Sequence, residues 1–464
     1  MTKLQYEAGS FRDPAGRIFY HNNDVYREIK KTGLERINFL QENDLLGDLI
    51  EKKFIVKTDI IRKKDDFNLQ KNNIAVLKHE KIEFISYPYE WTFDQLKDAA
   101  IFHLNFQIYL LKKNAKLLDA SAYNIQFKNN KPIFIDVLSI DKYTDGEFWY
   151  GHKQFCENFL NPLLLKSKKG IDFNNWFKGN LEGISTNEIS NLLSWYDFFS
   201  YTIFFHVFML NKVETNTKKN PKISHQNTKN FKNLKKQSFV AILNQLKNYI
   251  KKLTPKKLAS TWDKYSNENT YNIEEEKIKL EIVKDFCKAN KINLLADFGC
   301  NEGKFSEYAA NNGVNVIGFD FDLNVLNRAF RKAKNSNSKF FPLFSDFTNP
   351  SSNLGWNDSE RQSLVKRGKF DASISLALIH HLVIAKNIPI EEAIKWLVSF
   401  SPIGLIEFVP KTDPTTKIMM SLKGDIFPDY NEKNFEKILS SIKNIKKITK
   451  ITNSDRKIYE FIDK

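Results

Sequence analysis

The run Leu294-Leu295-Ala296-Asp297-Phe298-Gly299-Cys300-Asn301-Glu302-Gly303, followed by Val316-Ile317-Gly318-Phe319-Asp320, constrains the fold more than any other stretch of the chain. An apolar run ends in an acid and a glycine turn, a helical pattern follows, and a second apolar run ends in another acid. This is the order of a nucleotide-binding βαβ unit. Gly299 lets the backbone turn tightly and approach a ligand, and Gly303 opens the helix without a side chain in the way. Cys300 reads as a small residue in a tight space. Asn301 stands where a dinucleotide pattern has its middle glycine.

The acids indicate which nucleotide. Asp320, about 20 residues past the turn, can take two ribose hydroxyls. Asp297 puts a carboxylate where a dinucleotide would bring pyrophosphate, and anion beside anion is unfavourable. A nucleoside carrying an ammonium group fits both acids, which points to S-adenosylmethionine. The alternative is a non-catalytic scaffold of the same shape.

The remaining pattern continues the alternation. Leu323 to Lys334 reads as a helix and Lys339 to Phe344 as a third strand ending at Ser345-Asp346. Asp346 can accept from an adenine amino group, with Phe347 available to pack on the ring. Asp371 to Leu376 is a fourth strand, Pro389 to Phe400 a helix, and Ile403 to Phe408 a fifth strand. A helix near Glu432 to Ile442 precedes two final strands, Ile445 to Ile451 and Lys457 to Ile462. The expected fold is α/β, with a doubly wound, Rossmann-like seven-stranded sheet closed by a hairpin.

From about Trp262 onward the chain resembles the class I S-adenosylmethionine-dependent methyltransferases, and more closely the group related to the nodulation protein NoeA. The closer likeness lies in Asp346-Phe347-Thr348-Asn349-Pro350-Ser351, Gly355-Trp356, Glu360-Arg361, Leu376-Ala377-Leu378-Ile379-His380-His381-Leu382 and Ile406-Glu407-Phe408-Val409-Pro410. It reaches upstream to Ser10-Phe11-Arg12-Asp13-Pro14 and Tyr87-Pro88-Tyr89-Glu90-Trp91. The resemblance implies a methyltransferase with its own N-terminal domain. It does not supply the acceptor.

Methyl transfer is an in-line attack on an already activated sulfonium, so positioning the nucleophile does most of the work. His380 and His381 follow the fourth strand, where an acceptor would approach, and either could take a hydroxyl proton near neutral pH. Glu407, at the end of the fifth strand, could bind a cationic or hydroxylated acceptor. Its alternative is a hydrogen bond to neighbouring backbone. Trp356, Glu360 and Arg361 fall between strands three and four, in a segment that can fold over the ligand. Trp262, Tyr265 and Tyr271 could form an aromatic lid on the adenosine, or simply pack between helix and sheet.

The N-terminal part carries a second constellation. Asp119 is followed by Asn124, an apolar strand Ile125 to Phe127, the turn Asn129-Asn130, and Ile133-Phe134-Ile135-Asp136. This resembles the catalytic loop and metal-binding segment of kinase-like folds, in which the first acid receives a hydroxyl proton while the asparagine and later acid hold magnesium. A helix from Phe93 to Leu111, after a strand around Ile82 to Ser86, matches their element order. An α+β kinase-like domain is therefore expected. Leu117-Leu118 replace the usual histidine, and neither a glycine-rich phosphate loop nor the usual strand lysine can be assigned. An accessory domain that positions the acceptor is favoured over a bifunctional protein with a small-molecule phosphotransferase.

With 464 residues the chain can bury two cores. The expected division is 1–212, a connector over 213–260, and 261–464. The net charge is +16, but Asn211 to Lys257 hold thirteen lysines and one acid, or +12 of it. Neither folded domain is strongly basic, so a small-molecule acceptor is expected and nucleic acid is not. Asn211 to Asn230 reads as a solvated loop, and Ser238 to Leu253 as an amphipathic helix docked on a domain or, less favoured, on an anionic membrane surface. Phe198 to Leu210 is apolar but too short to span a bilayer, and reads as a buried helix. Three cysteines without ligand spacing, and no signal-peptide core, suggest a reducing, cytoplasmic setting. The eight histidines are scattered, so no metal site is expected. The oligomeric state is left open.

Overall fold

Strand alternation in the N-terminal part and parallel apolar runs in the C-terminal part produce two different sheets. The computed structural model describes residues 4–61, 75–219, 234–256, 273–421, 423–451 and 454–464. By contact the chain divides into two units, one of Met1–Leu258 with Asn353–Arg361, the other of Ala259–Ser352 with Gln362–Lys464. Trp262, Tyr265 and Tyr271 lie outside the described residues.

The first unit holds a five-stranded antiparallel sheet built from β1 (Gln5–Tyr6), β2 (Gly16–His21), β3 (Asp24–Ile29), β4 (Thr58–Ile61) and β5 (Ala75–His79), in the order β1-β2-β3-β5-β4. Two helices, Lys31–Glu42 and Leu45–Glu51, connect β3 to β4. The long helix Phe93–Lys112 begins at Thr92, whose hydroxyl accepts from the Gln95 N–H while the Gln95 side chain accepts from the Thr92 N–H, a reciprocal cap. Beyond it, β6 (Ala115–Leu117) pairs with β9 (Ile140–Lys142), and β7 (Ile125–Lys128) with β8 (Lys131–Phe134). The turn between β7 and β8 is Asn129-Asn130, both with positive φ, as a tight hairpin of matching twist requires.

Ile82 to Ser86 is not a strand. The nearest strand is β5, and the segment is held instead by a side chain: Ser86 N–H donates to Gln126 Oε1 at 2.9 Å, and Gln126 Nε2 donates back to the Ser86 carbonyl at 2.9 Å. One amide thus satisfies backbone groups that a neighbouring strand would otherwise take.

The apolar stretch at Phe198 to Leu210 is helical but not buried throughout. Ile203, His206 and Val207 face inward, whereas Phe199 is 79 % exposed and Tyr201 62 %. A helix with aromatic residues all round has only one face toward its own core. Asn211 to Asn230 was expected to be loop, yet the helix Leu210–Lys219 occupies its beginning. The helix Lys236–Lys252 buries Phe239, Leu243, Leu246 and Ile250 and packs on Phe93–Lys112.

The second unit is a seven-stranded sheet of β10 (Leu294–Phe298), β11 (Asn315–Asp320), β12 (Phe340–Phe344), β13 (Ala372–Ser375), β14 (Ile403–Phe408), β15 (Asn444–Lys450) and β16 (Lys457–Ile462). Their order is β12-β11-β10-β13-β14-β16-β15; the first five are mutually parallel and β16 pairs antiparallel with both neighbours. Covered on both faces, β10 and β13 are buried at every residue, the serines of β13 included, so neither strand shows a polar, solvent-facing side. One core cluster includes Leu295, Val316, Leu326, Phe340 and Ile374. No helix among the described residues is long and apolar enough to cross a membrane.

Candidate functional site

The order of strands reverses at β10, where the chain crosses to β11 on one side and β13 lies on the other. In such sheets the crevice beyond the strands' C-terminal ends is where ligands bind. Gly299 (φ +81°) and Gly303 (φ +79°) adopt left-handed backbone at the two ends of the turn after β10. A Cβ at Gly303 would lie 2.1 Å from the Phe340 ring, so neither conformation nor space admits a side chain. Asn301 also has positive φ, a state asparagine tolerates.

Asp297 is buried, and its Oδ2 accepts from the Ser306 hydroxyl at 2.5 Å. Burial pushes its carboxyl up to about 7, with Asp320 adding to the effect. Asp320 accepts from the Asn301 N–H at 2.9 Å and the Asp322 N–H at 3.0 Å, and burial raises it as well. Neither acid pairs with a cationic side chain among the described residues. Cys300 is buried with its thiol pushed well up, and fills the space beside Gly318. Ser306, in the first helical turn after Gly303, is a partner that the sequence pattern did not single out.

At the tip of β12, Asp346 Oδ1 accepts from the Thr348 N–H and hydroxyl at 2.9 and 2.6 Å. Phe347 is not free to cover an adenine ring. It is buried, 5.8 Å from Phe298 and 5.6 Å from Trp396 between ring centroids, as part of the aromatic layer between sheet and helix. The exposed aromatic residue beside the nucleoside acids is Phe321, 47 % accessible and next to Asp320.

His380 and His381 follow β13 with rings 4.2 Å apart. Burial pushes His380 well below the ordinary imidazole range and His381 to about 4, helped by nearby Arg456. Both are thereby biased toward the neutral form, which can accept a proton but holds it weakly. His380 Nδ1 is buried without a hydrogen-bond partner. Glu407 is engaged by the protein itself. It is fully buried; Lys279 Nζ donates to its two oxygens at 2.7 and 2.8 Å, and the Ala377 N–H donates at 2.9 Å. Ala377 is held at φ +51°, a costly conformation for alanine, beside this pair. Glu407 thus fixes the β13 tip.

The segment with Trp356, Glu360 and Arg361 lies outside the methyltransferase unit. It belongs to the first unit, where Glu360 pairs with Arg12 at 2.6 Å and the Arg361 guanidinium lies 4.0 Å from the centre of the Tyr123 ring.

In that unit Asn124 Nδ2 donates to the two oxygens of Asp119 at 3.0 and 3.2 Å. Burial and the neighbouring Asp136 push Asp119 up to about 7. Arg27, on β3 and 5 % exposed, bridges Asp13 and Asp136, the latter at 2.5 Å. It is a strand-borne cation facing this acidic cluster, where the sequence pattern showed no lysine.

Residues 296–395 match the methyltransferase domain family. The nodulation protein NoeA of Rhizobium meliloti (strain 1021) is 39 % identical over 456 residues, covering 98 % of this chain and 95 % of that protein. Among solved structures, magnesium protoporphyrin IX methyltransferase from Synechocystis PCC 6803 is 18 % identical over 44 % of this chain and 93 % of its own, with a TM-score of 0.32. WbdD is 17 % identical over 43 % of this chain and 42 % of its own, with a TM-score of 0.30. The chain belongs to the NoeA family, and its C-terminal unit is a class I S-adenosylmethionine-dependent methyltransferase.

Proposed function

We propose that the methyl group passes to a small-molecule acceptor, such as a sugar or secondary metabolite, held near His380 at the β13 tip. The observation that carries this reading is the pair of buried acids, Asp297 and Asp320, flanking a glycine turn with no cationic side chain paired to them among the described residues. The ammonium of S-adenosylmethionine supplies the missing charge at Asp297, and Asp320 takes the ribose hydroxyls. Asp346 offers its second oxygen to the adenine amino group, and Phe321 supplies the apolar contact. The sulfonium is the electrophile and leaves as a neutral thioether.

His380 is read as an orienting group. Its unpartnered Nδ1 can accept a hydrogen bond from an acceptor hydroxyl, and its low proton affinity fits positioning better than strong base catalysis. Nucleic acid is disfavoured because the positive excess sits in Asn211 to Lys257 rather than in the methyltransferase sequence.

The N-terminal unit is read as an accessory that positions the acceptor. Arg27 already balances Asp13 and Asp136, so the acidic cluster has less need of a divalent cation than a phosphotransferase site has. Isothermal titration with S-adenosylmethionine and its demethylated product, followed by a labelled-methyl assay on metabolite extracts, tests the proposal. No binding, or transfer to RNA alone, overturns it. Phosphorylated product from ATP and magnesium, lost in Asp119→Asn, would establish a second enzyme instead.

A further inference from the structure

A second set of polar side chains lies within the first unit, on other elements than its acidic cluster. His152 and Cys156 are one helical turn apart, and His206 comes from the helix that follows Tyr201. One ligand atom from each, a ring nitrogen of either histidine and the Cys156 sulfur, falls within 4.8 Å of the other two. His152 Nε2 and His206 Nδ1 are 2.7 Å apart, and Cys156 is fully buried. Cys156 and His206 both sit in π-helical stretches, Cys156–Leu160 and Phe204–Met209. Such stretches displace side chains from regular helical positions and recur at functional sites.

We infer that His152, Cys156 and His206 form a binding site for a zinc-class divalent cation. Two imidazoles and a thiolate are the donor set that such borderline-soft ions prefer. The three groups converge without charge of their own until the thiol ionises, and burial keeps both rings in the neutral form that ligates. On binding, the Cys156 thiol proton is released. The proton shared between the two rings moves to the outward nitrogen of its own ring, freeing both inward lone pairs. In a tetrahedral site the ring nitrogens must separate by roughly half an ångström, a small side-chain rotation.

A further feature fits. Gln245, on Lys236–Lys252, hydrogen-bonds His206 and also donates to Thr202 at 2.6 Å, so it can orient the imidazole as a second layer around a metal. The His152-Cys156 spacing alone did not read as a site because the third ligand lies in another helix.

The test uses the full-length protein, stripped with chelator and titrated with cobalt(II). The expected result is a one-equivalent endpoint, with visible d–d bands and a near-ultraviolet thiolate-to-cobalt band. Cys156→Ser should lose the thiolate band, His206→Asn should weaken binding roughly 10- to 100-fold, and Cys287→Ser should change neither. Trp149 lies 5.2 Å from His152, so its emission should be quenched as the site fills. Absence of the thiolate band in the unaltered protein, or its persistence in Cys156→Ser, overturns the proposal. The first of these needs no variant, so misfolding of a variant cannot hide the answer.

Discussion

The two acidic sites of this protein solve the same electrostatic problem in opposite ways. In the first unit, Asp13 and Asp136 are joined by Arg27, a cation that the chain itself provides. In the methyltransferase unit, Asp297 and Asp320 are buried with, among the described residues, only hydroxyl and backbone N–H donors. A buried anion without a counter-charge is held at a cost, and a site that keeps one is prepared for a cationic ligand. Carboxylates that look alike in sequence therefore differ in purpose according to whether their partner is covalently part of the chain.

The comparison breaks most visibly at Arg27. Arg27→Met should destabilise the first unit by about 3–5 kcal/mol, because two carboxylates lose their shared partner, and adding Asp136→Asn should restore part of the loss. Thermal denaturation of the single and double variants measures both. At the other site the effect should fall on binding. Asp320→Ala should weaken S-adenosylmethionine roughly 100-fold by calorimetry, with little change in the melting behaviour of the first unit.

Proton linkage sharpens the contrast. Asp297 and Asp119 each titrate near 7 when folded, well above the usual carboxyl value of about 4. Between these values the folded protein holds a proton that the unfolded chain has lost. Stability should therefore fall as pH rises from about 4 to 7 and level off above, with a slope of at most about 1.4 kcal/mol per pH unit from each group. Asp297→Asn and Asp119→Asn should each flatten part of the slope. Saturating S-adenosylmethionine should remove only the share due to Asp297, since its ammonium favours the ionised form. Unfolding followed across pH, with and without cofactor, tests this.

The smallest expected effect separates two neighbouring aromatics. Phe321→Ala should weaken S-adenosylmethionine several-fold, about 1 kcal/mol of ring contact. Phe347→Leu should leave cofactor affinity unchanged while lowering the melting temperature, because its ring packs on Phe298 and Trp396.

The sheet of the methyltransferase unit was legible because its strands are apolar runs closed by glycine, proline or acid. Leu294–Phe298, Asn315–Asp320 and Ile403–Phe408 needed no tertiary information. The turn glycines were legible for the same reason, since few residues tolerate positive φ. Phe347 was not, because beyond the strand end the alternation of faces stops and nothing local says which way a ring points. Glu407 was not, because Lys279 lies far away in sequence on the helix Ile273–Asn290. Arg27 was hidden in an ordinary alternating strand, and Ile82 to Ser86 imitates a strand because Gln126 does a strand's hydrogen bonding from a side chain.

The ion pair at Glu407 also bears on how the methyltransferase unit can be made. Lys279 reaches this carboxylate from a helix preceding the first strand of the sheet, and Arg456, 3.6 Å away, reaches it from the turn before the last strand. A ribosome therefore releases the middle of the sheet long before the carboxylate has its full set of partners. Glu407 has its full set of partners only once both Lys279 and Arg456 have left the ribosome. For the same reason, a fragment trimmed to begin at Leu294 would lose the Lys279 ammonium and leave the buried Glu407 carboxylate with only Arg456, 3.6 Å away, as a counter-charge. A workable excised domain has to start upstream of Lys279 and run past Arg456.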